Sequence, residues 1–411
     1  MDFKKVTTAQ GVPLYCMEMP WAKSVATGVL VKAGTRDEIW PKEAGIAHAL
    51  EHMLFQGNEE FPDSKSISGL LEDVGGYPNA WTWKEMTFYY NLLPADKVER
   101  GIRVLGQMIR KSLLREENIK TEMQNIIQEI KRANDNHKSY LGRKADEIIY
   151  NGHVIGRDTL GTEDAVANFK SDDFREFTRR FYSPENFTFI VVGNVNTQEI
   201  KDLFESNFSE PTGILRNNRS AFSANLSSDK LFIIPRKVEQ CQLIMGTLIC
   251  DTKDCNYWPL NLFATMIDGG MSFPLFQEVR DKRGLAYEVS ADCSFWSDAG
   301  DFSIYIGTDP ARKDEAIRAA LDVVRDNKSS KKLLERAREL MLGRMALAQE
   351  SSNNILQAAA YQLGKLGDIT SYDKKIELIK SVTIAQVEGV VEKYLSEDKM
   401  VTVMLMPEEK K

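Results

Sequence analysis

Two of the four histidines in this chain fall in one pentapeptide, His48-Ala-Leu-Glu51-His52. A helix turns by about 100° per residue, so positions i, i+3 and i+4 come to lie on one face. Both imidazoles can then reach a single ion, with a carboxylate beside them. Neutral imidazole is a preferred zinc ligand, and a catalytic zinc keeps three protein ligands and one open position for water. The pattern predicts a zinc site with the Glu51 carboxylate beside the ion. The plain alternative is two helix-surface histidines near a solvated glutamate; composition alone yields such a pentapeptide in roughly a few sequences per thousand.

A third ligand has to come from another element. The run TEMQNIIQEI, residues 121–130, carries Glu122 and Glu129 seven residues apart, on one helical face and two turns from each other. The helix predicted over 115–138 holds many charges, and most charges on such a helix are simply solvated. Spacing alone does not choose among them.

The elements that must position these groups follow from hydrophobic periodicity and turn residues. Strands are predicted at 3–8 and 12–18, and an apolar run at 24–33, ahead of a histidine-bearing helix at 43–56 that Gly57 closes. A helix near 64–74, strands near 77–82 and 86–93, and helices near 95–113, 115–138, 141–150 and 171–182 come next, then a strand at 187–193. Residues 209–228 are rich in Ser, Asn, Pro and Gly, a linker composition. After it the chain starts again. FYSPENFTFIVV at 181–192 and YLSEDKMVTVML at 394–405 stand 213 residues apart, and the same offset pairs AGIAHALEHMLFQG at 44–57 with YWPLNLFATMIDGG at 257–270. The expected fold class is α+β: two copies of one unit, each a mostly antiparallel sheet packed with helices, over 1–210 and 225–411. The second copy has Asn261, Ala264 and Thr265 where the first has His48, Glu51 and His52, so the metal chemistry belongs to the first half.

Composition bounds the rest. A net charge of −7 without any basic block argues against nucleic acid as a partner. No apolar run reaches the roughly 18 residues of a membrane helix, and the N-terminus lacks the apolar core of a secretory signal. A cytoplasmic protein is expected, although an organellar protein freed of its presequence would read the same. The five cysteines show no CxxC spacing, which speaks against a disulfide framework or a thiolate-bound zinc.

His-x-x-Glu-His reverses the thermolysin-type order and is the inverzincin signature. The sequence resembles the pitrilysin, insulin-degrading enzyme and mitochondrial processing peptidase family of zinc metallopeptidases, above all its short two-domain bacterial members. The resemblance spans nearly the whole chain. It is carried by GIAHALEHMLFQG, GGYPNAWTWKEMTFYY, the Glu122–Glu129 helix, GTEDAVANF, FYSPENFTFIVVGN and, in the second half, LFQEVRDKRGLAYEVSA.

That resemblance implies one Zn2+ per chain held by His48, His52 and Glu129, with Glu51 as general base and Glu122 orienting a ligating histidine. It implies that Arg280 and Tyr287 act on the substrate, Tyr287 on the oxyanion and Arg280 on the backbone or carbonyl. It also makes the strand with Asn79 and Ala80 the edge to which a peptide substrate adds. In the second half DGGMS stands where silent partner subunits of the family carry an expanded glycine-rich loop, which favours a catalytic chain. The family likeness implies a homodimer, or a heterodimer with a related chain, that closes a chamber around unfolded or presequence-like peptides. The competing expectations are a catalytically silent assembly subunit and a zinc hydrolase of non-peptide amides, since fold and metal do not fix a substrate.

Overall fold

The computed structural model describes residues 2–209, 219, 221–223 and 226–408, so the linker read at 209–228 lies largely outside the described residues. The chain forms two compact units that do not follow it in simple succession. Unit 1 takes Met1–Lys131, Asp158–Ser220 and Ala348–Tyr372; unit 2 takes Arg132–Arg157, Ala221–Leu347 and Asp373–Lys411.

Unit 1 is built on a six-stranded sheet of β1 (Lys4–Thr7), β2 (Pro13–Glu18), β3 (Ser24–Val31), β4 (Tyr77–Thr82), β5 (Thr87–Pro94) and β6 (Phe187–Gly193), in the order β1-β2-β6-β3-β5-β4. Only the β2–β6 pair is parallel. β3 shows why its sequence reads as an unbroken apolar run. Val25, Val29 and Val31 face one core and Ala26 and Leu30 face another, so both sides of the strand are buried. The first core receives Ala47, Leu50, Met53 and Leu54 of the histidine helix. The second receives Ile355, Leu356, Ala359, Ala360 and Leu363 of a helix, Ser352–Leu366, that the chain makes only in its second half.

Unit 2 repeats the plan with β7 (Leu231–Arg236), β8 (Cys241–Ile249), β9 (Ala286–Phe295), β10 (Gly300–Thr308) and β11 (Val401–Pro407), in the order β7-β11-β8-β10-β9. β7 and β11 are parallel and every other pair is antiparallel, as at the equivalent places in unit 1. One face of this sheet is covered by Leu141, Ala145 and Ile149 of His137–Ile149, a helix made in the first half of the chain. Each sheet is thus roofed by a helix from the other half of the sequence. The repeat offset persists in the elements: helices Ser171–Phe181 and Ile384–Tyr394 lie 213 residues apart, as do the single turns Pro184–Asn186 and Glu397–Lys399.

Local chemistry trims the expected helices. The histidine helix runs over Ile46–Leu54 rather than 43–56. Glu43 spends its carboxylate on the Ile39 N–H (2.9 Å) and on Arg180 (2.6 Å), and Gly45 sits at φ 90° in left-handed space. The stretch expected at 95–113 divides into a 3-10 turn, Ala95–Lys97, and a helix, Val98–Arg110. The helix expected at 141–150 begins at His137, because the Asn136 side chain accepts from the Ser139 N–H at 2.9 Å and starts it earlier.

Candidate metal and catalytic site

The histidine helix is fixed at its start before any ligand is considered. The buried Glu38 carboxylate accepts from the N–H groups of Gly45 (3.0 Å) and Ala47 (3.1 Å), satisfying donors that a helix N-terminus leaves unpaired. A Cβ on Gly45 would stand 2.6 Å from the Leu160 carbonyl oxygen, so the chain approaches here at a distance only glycine allows.

One turn further on, the predicted ligands converge. His48 Nε2 and His52 Nε2 each lie 3.8 Å from Glu129 Oε2, and one ligand atom from each of the three residues lies within 4.8 Å of the others. Zinc bonds of 2.0–2.1 Å in a tetrahedron imply ligand–ligand separations of about 3.4 Å, so modest side-chain movement closes the set around an ion. Among the described residues this is the one such group of histidines, cysteines and carboxylates. The donor chemistry suits the ion as well. Burial, with repulsion from His52 added, pulls the His48 imidazole down to about 3, so it is neutral near pH 7 and has a lone pair to give.

Glu122 holds the second histidine. Its Oε1 lies 2.8 Å from His52 Nδ1, and its Oε2 accepts from Gln56 Nε2 at 3.0 Å and Asn125 Nδ2 at 3.2 Å. With Nδ1 donating to Glu122, the Nε2 lone pair of His52 is turned toward Glu129 and His48. The hydrogen bond from His52 keeps the Glu122 carboxyl below its ordinary value. For His52 burial pulls downward, yet the Glu122 bond and the charges of Glu51, Glu122 and Glu129 outweigh it and raise the imidazole overall.

Glu51, one turn after His48, accepts from the Thr82 hydroxyl at 2.5 Å. Burial raises its carboxyl, and the Thr82 bond only partly offsets that rise, which suits a group that takes and returns a proton. Thr82, Gln56 and Asn125 complete the site, and sequence reasoning missed all three. Gln56 stands four residues after His52 and Asn125 three after Glu122, so helical spacing could have flagged them. For Thr82, on a strand distant in sequence, no such signal exists.

Asn79 and Ala80 lie on β4, the edge strand of the unit 1 sheet, which among the described residues pairs with β5 on one side only. Asn79 is exposed, and its Oδ1 accepts from the Ala80 N–H at 2.8 Å. Arg280 and Tyr287 belong to unit 2. Arg280 lies in a π-helical segment, Phe276–Lys282, with its guanidinium 5.1 Å from the Tyr287 ring centre and 4.7 Å from that of Phe276. Tyr287 falls where the β9–β10 register slips, between Ala286 opposite Thr308 and Glu288 opposite Gly307. A bulge of this kind re-aims a side chain, and Tyr287 is 76% exposed. In the second copy the residues replacing the histidines turn back on their own helix: Asn261 donates to the Tyr257 carbonyl at 2.8 Å and Thr265 to the Asn261 carbonyl at 2.9 Å.

The chain is similar to known proteins in sequence and in fold. Residues 16–163 match the family described as insulinase (peptidase family M16), and residues 168–341 match the peptidase M16 inactive domain. A protein of Rickettsia bellii, named an uncharacterized zinc protease, is 30% identical over 397 residues, covering 94% of this chain and 93% of its own. A Bacillus subtilis protein, also named an uncharacterized zinc protease, is 29% identical over 404 residues, 96% of each chain. Among solved structures, a protease from Helicobacter pylori superposes with a TM-score of 0.91 at 20% identity over 99% of both chains. A peptidase M16 inactive domain from Pseudomonas fluorescens does so with a TM-score of 0.89 at 19% identity, covering 100% of this chain and 98% of that one. Among the described residues no helix is long and apolar enough to cross a membrane.

Proposed function

We propose that this chain, which belongs to the insulinase family of peptidases (M16), is a zinc-dependent endopeptidase that cleaves unfolded or presequence-like peptides. One observation carries the reading: His48, His52 and Glu129 bring their ligand atoms together with Glu51 one helical turn from His48. The naming of relatives as zinc proteases supports the choice of ion.

In this reading His48, His52 and Glu129 hold one zinc. The ion supplies Lewis acidity that lowers the pKa of a water and polarises a carbonyl. The remaining work falls to side chains. Glu51 takes the proton of the attacking water and returns it to the departing amine. Glu122 fixes the ring and tautomer of His52. The unpaired side of β4, at Asn79 and Ala80, receives the substrate as an added strand, a mode that reads extension more than side chains. Tyr287 donates to the oxyanion of the tetrahedral intermediate and Arg280 binds the substrate carbonyl, roles supported by their exposure and by the bulge that turns Tyr287 outward. The proposal extends to a dimer, with itself or with a related chain, that closes a chamber in the cytoplasm.

The test is incubation of the purified, zinc-loaded chain with unstructured peptides, read by mass spectrometry with and without a chelator. Cleavage that a chelator abolishes and zinc restores is expected, and Glu51→Gln should keep its zinc yet lose activity. A zinc-loaded chain that binds peptides and cleaves none would replace this reading with that of an assembly subunit.

A further inference from the structure

We infer that Thr82 is a positioning residue that sets the Glu51 carboxylate, tying the general base to the edge strand through one hydroxyl. The inference rests on the peptidase reading for its kinetic consequence and on geometry for the placement itself.

Thr82 is the last residue of β4 and is 9% exposed. It pairs across the sheet with Thr87, the first residue of β5. The Thr87 hydroxyl donates to the Ala33 carbonyl at 2.9 Å, so its only proton is spent and toward Thr82 it can only accept. The single proton of Thr82 has two acceptors in range, Glu51 Oε2 at 2.5 Å and Thr87 Oγ1 at 3.4 Å. The shorter bond, to a carboxylate, is the stronger of the two. In the same core the hydroxyls of Tyr89 and Tyr182 pair with each other at 2.8 Å. Both tyrosines are buried, so the hydroxyls are held by packing and by each other rather than by solvent.

Two consequences follow for Glu51. Its carboxylate is anchored through Oε2, while Oε1 has no partner among the described residues and is left for chemistry. Its anchor also shares a backbone with Asn79 and Ala80, so movement of β4 is passed to the base. Catalytic groups misplaced by about 1 Å lose on the order of 10²-fold in rate, which sets the scale of what Thr82 controls.

The test compares Thr82→Val, which keeps the shape and removes the hydroxyl, with Thr82→Ser, which keeps the hydroxyl. For zinc-loaded proteins with wild-type melting profiles, the valine variant should lose about 10–100-fold in kcat with KM within about twofold, and serine should restore most of it. In a Glu51→Gln background Thr82→Val should cost much less in rate than it does in the wild-type background, because Thr82 acts through Glu51. Crystal structures of the zinc-loaded wild type and valine variant should show the Glu51 carboxylate turned away from His48 and His52 in the variant alone. A valine variant with wild-type kcat and an unmoved Glu51 overturns the inference, leaving Thr82 a mere hairpin contact. A displaced Glu51 in a chain whose wild type cleaves nothing upholds the placement and defeats the peptidase reading instead.

Discussion

Removing the Glu122 carboxylate should weaken zinc binding by an amount that depends on what replaces it. In Glu122→Gln the amide oxygen can still accept from His52 Nδ1, where the contact is now 2.8 Å. Its NH2 group then meets Gln56 Nε2 and Asn125 Nδ2, both donors, at the places now 3.0 and 3.2 Å from Oε2, so those amides must turn over. The bond to His52 survives without its charge. In Glu122→Ala the acceptor disappears and water must replace it, which the 29% exposure of the His52 side chain permits only in part. Losing such an orienting partner costs roughly 10–100-fold in metal affinity, so about 10-fold is expected for glutamine and about 100-fold for alanine. The larger figure corresponds to about 2.7 kcal/mol. Competition with a chromophoric chelator at pH 8 gives both constants directly. The difference should narrow as pH falls. Glu122 helps to raise the His52 imidazole, so in the wild type protons displace zinc from Nε2 at a higher pH than in either variant. The variants, with a lower imidazole pKa, lose less to proton competition between pH 8 and 6. An alanine variant that binds zinc within about twofold of wild type at pH 8 would refute the assignment of Glu122 as the partner of a ligating histidine.

Two other predictions probe separate parts of the molecule. Tyr287→Phe should leave zinc content and melting unchanged while lowering kcat on the order of 10²–10³-fold, because an oxyanion contact forms chiefly in the transition state. Arg280→Ala should raise KM as well, and wild-type steady-state kinetics in both variants would remove unit 2 from catalysis. Gly45→Ala places a Cβ at φ 90° and 2.6 Å from the Leu160 carbonyl oxygen, so thermal denaturation should show a loss of at least about 1–3 kcal/mol; an unchanged melting temperature would mean the helix start yields easily.

Much of this was legible in the sequence, and the reasons differ by residue. His48, Glu51 and His52 share one helix, where spacing alone fixes the face they occupy. Glu129 and Glu122 needed the family pattern, because a charged helix offers many equivalent carboxylates. The repeat was readable because its helices and turns keep the 213-residue offset through to the end of the chain. The contact between Thr82 and Glu51 was not readable. It depends on how a strand end meets a helix, and threonine in a strand has no pattern that marks such a role. Nor could periodicity reveal which sheet the helices His137–Ile149 and Ser352–Leu366 cover, since an apolar stripe states that a face is buried and not what buries it.

The exchange of those two helices has a consequence for how the chain is made. The sheet of unit 1 has all its strands once Gly193 is synthesised, but the helix roofing Tyr15, Met17, Leu30, Phe88, Ile190 and Val192 ends at Leu366. At translation rates of about 5–20 residues per second, the interval between these two points is roughly 9–35 s. Throughout it the nascent chain carries a finished apolar sheet face with nothing of its own to lay upon it. The helix His137–Ile149 waits in the same way, emerging well before the strands β7, β8 and β11 that it will cover. Neither unit can close on the ribosome before most of the other has been made, so a nonsense mutation or a stalled ribosome between Gly193 and Leu366 would release two unfinished units rather than one finished domain and a tail.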